Sequence, residues 1–84
     1  MDRAEILKNG KVKIRVKRSG MYQQIEFVVE RINSPMGIYP VLKTDKFIDL
    51  SEGVRIAEEL MLPVKTKNGV FFPRGKGAGD FVGL

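Results

Sequence analysis

KVKIRVKRSGMYQQIEFVVERI, residues 11–32, decides the fold. A cation stands at every second position from Lys11 to Lys17, with Val12, Ile14 and Val16 between them. Alternate side chains of an extended strand point to opposite faces. The spacing therefore predicts a strand with one cationic and one apolar face. Ser19-Gly20 predicts a tight two-residue turn, and the run from Met21 to Ile32 a second strand. So short a loop fixes the register, with Arg18 beside Met21, Lys17 facing Tyr22, Arg15 facing Gln24 and Lys13 facing Glu26. On the other face Ile14 meets Ile25 and Val12 meets Phe27, with Val16 opposite Gln23 as the weak pair. A slip of one residue would mix the two faces, which selects this register over its neighbours.

Working outward, Asp2 with Glu5 three residues on forms a helix start, and Asn9-Gly10 a helix stop. The competing possibility is a type I′ turn at Asn9-Gly10 pairing residues 5–8 with the strand. That pairing would set Glu5 against Ile14, so the helix is preferred. Beyond Ile32, NSPMG at 33–37 reads as a turn. IYPVLKT at 38–44 reads as a third strand, placed at an edge or a bulge because Pro40 has no backbone donor. Asp49 and Glu52 form a capping box for a helix at 50–62, ended by Pro63. Leu50, Val54, Ala57 and Met61 recur at helical spacing, with Ile56 and Leu60 widening the stripe, while Gly53 weakens the first turn. VKTKNGVFFPR at 64–74 predicts a second hairpin turning at Asn68-Gly69, its outer strand limited by Pro73.

These elements predict an α+β fold, a small antiparallel sheet of four to five strands packed on one main helix. A small closed β-barrel with one helix is the alternative. The expected core is Val12, Ile14, Ile25, Phe27, Val29, Leu42, Ile48, Val54, Ala57, Leu60 and Phe71. Residues 1–74 form a single compact domain in this reading, and 75–84 a glycine-rich C-terminal tail, with a short edge strand at Phe81-Val82 as its one candidate element. GKGAGD at 75–80 resembles a phosphate loop only superficially, since only FVGL follows where a helix would have to begin.

Composition narrows the chemistry. The chain has 84 residues, 43% of them hydrophobic and 30% charged, which fits one small globular domain. It contains no cysteine and no histidine. That removes thiolate ligands, disulfides, the commonest metal ligand and the commonest general base. No metal, no cofactor and no catalytic activity are expected, since nothing in the chain pairs Ser, Lys or Tyr with an activating group. MDRAEILKNG carries charges where a signal peptide would be apolar, and the longest apolar run, LMLPV at 60–64, is far short of the roughly 20 residues that cross a bilayer. A cytoplasmic location without membrane contact is the corresponding expectation.

The charge is +5 overall, and its placement is uneven. Residues 1–18 hold seven Lys/Arg against two carboxylates, whereas residues 19–84 hold eight of each. The excess thus belongs to the first strand and its approach, and would attract a polyanion over about a Debye length. Cations two residues apart on a strand repeat about every 7 Å, near the spacing of phosphates in an extended single strand. A basic sheet face with a stacking ring can hold single-stranded nucleic acid. The sequence accordingly points to a nucleic-acid-binding domain acting through the 11–26 hairpin, with single-stranded nucleic acid or RNA favoured. Lys11, Lys13, Arg15, Lys17 and Arg18 would meet phosphates, Tyr22 would stack, Gln24 would add a polar contact, and Arg74 and Lys76 would extend the contact from the tail. The plain alternative is a solvated strand face kept basic against edge pairing. A further class is a protein-interaction module docking on an acidic partner, adding the strand edge at 38–44 or 70–74 to the partner's sheet.

Overall fold

The computed structural model describes residues 2–35 and 37–83. Asp2 accepts from the Glu5 backbone N–H at 2.9 Å and starts α1, Arg3–Asn9. Gly10, at φ 78, closes it with its N–H on the Ile6 carbonyl, so the helix forms here and the hairpin alternative does not. Next come β1, Lys11–Arg18, and β2, Met21–Ser34. Ser19 at φ 52 and Gly20 at φ 77 make the connecting turn, both in the left-handed region that a type I′ turn requires. The register runs from Lys11↔Val28 to Arg18↔Met21, as the sequence dictates. β3, Gly37–Lys43, then pairs with the second half of β2; Met36 of the expected 33–37 turn lies outside the described residues.

α2, Leu50–Leu60, starts on Asp49, whose Oδ1 accepts from the Glu52 N–H at 2.9 Å. It ends before Pro63 at Met61, held at φ 54, two residues short of the expected boundary. This helix is the crossover that lets β3 meet β4, Val64–Thr66, in parallel, at Leu42↔Val64. β5, Gly69–Gly75, and β6, Ala78–Gly83, complete the sheet. Its order is β1-β2-β3-β4-β5-β6. The α+β class holds, but the sheet has six strands and is mixed, and two helices accompany it. β1 and β6 are both edges, so the sheet stays open and does not close into the alternative barrel.

Local chemistry explains the other departures. The strand expected at an edge, 38–44, lies inside the sheet as β3, yet β4 reaches it only at Leu42. Pro40 therefore needs no donor on that side. β5 is likewise interior, so the free edges are β1 and β6 and neither 38–44 nor 70–74. The second hairpin turns one residue early, over Lys67-Asn68, with Thr66 paired to Gly69. Thr66 Oγ1 sets this turn by accepting from the Asn68 N–H at 3.2 Å and donating to the Gly69 carbonyl at 2.9 Å. Pro73 falls at a register shift between Pro73 and Gly75. Most of the segment expected as a glycine-rich tail is β6, which extends the short strand foreseen at Phe81-Val82 back to Ala78. Glycine is what permits it, since a Cβ on Gly79 would lie 2.3 Å from the Phe71 ring. Leu84 lies outside the described residues.

The inner face of the sheet packs on both helices around Val12, Val16, Ile25, Phe27, Leu42, Ile48, Val64 and Phe71. Ile14, Val29, Val54 and Leu60, expected in the core, are half-buried against it. Ile6, Val16, Ile56, Leu62 and Val64 are core residues beyond those expected. Val16 is only 1% exposed although its partner Gln23 faces solvent. Its cover comes from beside α2, where it sits with Glu52 and Arg55, and not from across the strand pair. α2 presents Gly53, Ile56 and Ala57, a face rotated from the Leu50–Met61 stripe, whose two ends are exposed. The rotation follows from Gly53. A Cβ there would come within 2.4 Å of Thr66 Cγ2, so the bare glycine lets the helix sit down on β4.

Gly53→Ala should therefore destabilise the protein, by about 1–3 kcal/mol of overpacking, against the usual helical gain from this exchange. Thr66 cannot swing away without losing the turn it holds. Thr66→Ser removes the clashing methyl and keeps the hydroxyl, so it should recover most of the loss in the double variant. Urea melts of the four proteins check this; a stabilised single variant would refute the contact.

Candidate functional site

Lys11, Lys13, Arg15 and Lys17 are all exposed on the outer face of β1, the face turned away from the helices. None of the four forms an ion pair among the described residues. Glu26 stands opposite Lys13 in the register without closing a bridge to it. The row is therefore an uncompensated field at a sheet edge. Tyr22, 59% exposed, joins it in a particular way. The Arg15 guanidinium lies 4.0 Å from the centre of its ring, and Lys17 Nζ 6.0 Å. One face of the ring is thus covered by a planar cation, so the exposed aromatic here is an Arg15–Tyr22 pair rather than an isolated tyrosine.

The remaining expected residues lie elsewhere. Arg18 has the opposite parity and turns inward, where it pairs with Glu52 at 3.5 Å and donates to the Phe47 carbonyl. It fastens the 44–49 loop to the hairpin. Arg74 is on β5, with three strands between it and β1, and is paired with Asp80 at 2.7 Å. Lys76 sits in the turn before β6, whose Gly77 N–H donates to Glu58 of α2. Neither belongs to the hairpin's row. Gln24 does, as the partner of Arg15, and it also lines a cleft on the far side of β2.

That cleft was not legible in the sequence. β2 is shared end to end, its first half pairing β1 and its second half β3. β3 stops at Lys43, opposite Val28, so no strand covers Gln24–Phe27 on the side away from β1. β4 lies across the gap, and the 44–48 loop spans it. The result is an open cleft of about 650 Å³. Lys43, Lys46, Lys65 and Lys67 line it, against Glu26 and Asp45. Phe47 also lines it, 57% exposed, with Lys67 Nζ 4.7 Å from its ring centre. Three separate segments supply these groups, so no single window of sequence could show them together.

Two carboxylates near this region are held in their charged form. The Lys43 ammonium donates to Glu30 and holds that carboxyl below the usual glutamate range; desolvation opposes this in part, and the charges of Lys43 and Lys65 reinforce it. The Asp49 carboxyl is lowered by the Glu52 N–H, then by the Ser51 hydroxyl. Among the described residues no helix is long and apolar enough to cross a membrane. Comparison of the chain with protein-family models, with curated proteins and with solved structures finds no match.

Because the folded midpoint of Glu30 is depressed, the stability gained from its pairing with Lys43 is complete above the unfolded glutamate pKa. It is lost as pH falls through the folded midpoint. In a carboxyl-carbon NMR titration Glu30 should titrate below the ordinary glutamate range, and Lys43→Met should raise that midpoint. An identical midpoint in both proteins would show that the pair does not form in solution.

Proposed function

We propose that this chain is a small, non-catalytic, cytoplasmic nucleic-acid-binding domain that uses the outer face of the 11–26 hairpin and prefers single strands. One observation carries this reading: four exposed cations on one strand face, none with a carboxylate partner among the described residues. A row kept basic only to prevent edge pairing has no need of a guanidinium stacked on a tyrosine. The Arg15–Tyr22 pair instead offers a flat, cationic platform to an unpaired base, with Gln24 beside it to donate or accept at a base edge. Phosphates would track Lys11, Lys13 and Lys17. Arg18, Arg74 and Lys76 drop out of the contact set, since the first serves the fold and the others sit on different elements.

A second reading, docking on an acidic protein partner, draws on the open edge of β1. A groove beside α2 runs along it, lined by Lys13 and Arg15 and by Arg55 in its pair with Glu59, where an acidic strand could add to the sheet.

Fluorescence anisotropy across a salt series separates the two. With Lys11, Lys13 and Lys17 each neutralising a phosphate, the hairpin alone should make log K fall against log[salt] with a slope of about −2 for single strands and about −2.7 for duplex. Binding to the single strand should be tighter. Arg15→Glu with Lys17→Glu should weaken it at least about tenfold while the thermal melt stays unchanged. Parental affinity in that variant, or no oligonucleotide binding at all by the parent, would overturn the proposal.

A further inference from the structure

Phe47 is an exposed aromatic that the fold does not use, and its position is fixed all the same. Arg18 holds its carbonyl from the hairpin, Ile48 beside it is buried in the core, and the Lys67 N–H donates to the Ile48 carbonyl at 2.9 Å. A ring carried on backbone held from both sides, more than half exposed and lining a lysine-rich cleft, has the makings of a stacking platform. The cleft volume of about 650 Å³ falls in the range of sites that hold a small ligand. Its lining is basic on balance: Lys43 is engaged by Glu30, and Lys46, Lys65 and Lys67, which form no ion pair among the described residues, stand against Glu26 and Asp45.

We infer that this cleft is a second anchoring site on the same nucleic-acid strand. A base stacks on Phe47, and Lys46, Lys65 and Lys67 take the flanking phosphates. The inference rests on the hairpin reading and extends it. The two surfaces are continuous, because Gln24 and Glu26 form the cleft wall and are the cross-strand partners of Arg15 and Lys13. Neighbouring strands lie about 4.8 Å apart, so a strand leaving the Arg15–Tyr22 platform crosses one strand width to reach the cleft. The chemical class follows from the shape. Walls formed by the edge of β2, the 44–48 loop and residues 65–67 admit unpaired nucleotides, and a duplex is too wide to present a base to Phe47. The ligand is a flexible single strand that turns from the hairpin into the gap beyond Lys43.

The test uses a fluorescent oligothymidylate of about 12 nucleotides, within the 4–16 nucleotide range of small single-strand sites. Lys46→Gln, Lys65→Gln and Lys67→Gln together should make the salt slope shallower by about 2, and Phe47→Ala should weaken binding by about fivefold or more. In the parent, adding the oligomer should shift the amide resonances of Phe47 and of residues 65–67 along with those of the hairpin, a readout that holds even if a variant unfolds. An unchanged slope in the triple variant, or hairpin shifts without cleft shifts, overturns the second anchor and leaves the hairpin interface standing. Failure of the parent to bind brings down both. Competition by an oligoglutamate peptide of equal charge as strong as that by the oligomer, with Phe47→Ala neutral, would reassign the cleft to acidic protein segments.

Discussion

The pairing of β1 with β2 is the constraint from which the rest of the molecule follows. It is set by two residues, Ser19 and Gly20, whose positive φ angles close a turn that allows no slack. Since side chains alternate across a strand, this one loop length assigns Val12, Ile14 and Val16 to the helices and Lys11, Lys13, Arg15 and Lys17 to water. β2 then passes the register on. Its 14 residues are long enough to serve two partners in succession, and Val28 is the changeover, facing Lys11 on one side and Lys43 on the other. The cleft is the geometric remainder of that arrangement, the place where one partner has ended and the next strand lies too far away to pair.

What could be read from the sequence was local. The hairpin register, the caps at Asp2, Asp49 and Gly10, and the stop before Pro63 each depend on groups within a few residues of one another. What escaped depends on groups far apart in the chain. The turn at Lys67-Asn68 is displaced from the glycine that marks it because the Thr66 hydroxyl bonds on both sides of it. The buried face of α2 is rotated because a methyl on β4 demands a residue without a side chain. Pro40 misdirected the reading of its strand, since an interior strand can be locally uncovered where its neighbour is only three residues long.

Charge shows the same divide. Cations and carboxylates balance over residues 19–84, yet folding sorts them. Four lysines collect around the cleft against Glu26 and Asp45, while Glu52, Glu58 and Glu59 lie on α2 with Arg55. Neighbours in sequence can also be separated by parity alone. Lys17 remains in the outer row, and Arg18, one residue on, becomes an internal tie between hairpin, loop and helix. A count of basic residues therefore overstated the exposed row at the turn of the hairpin and missed the lysines gathered around the cleft beside β2.

β6 carries a different kind of consequence. Every one of its residues is exposed, and it adheres to the sheet through the β5 ladder and the Phe71 ring lying across Gly79. A border held by so little buried surface frays ahead of global unfolding. When it lifts, the uncovered aromatic and a fresh row of unpaired amides form a template for strand exchange between copies. The glycines of β6 thus act as a lid over the edge of β5.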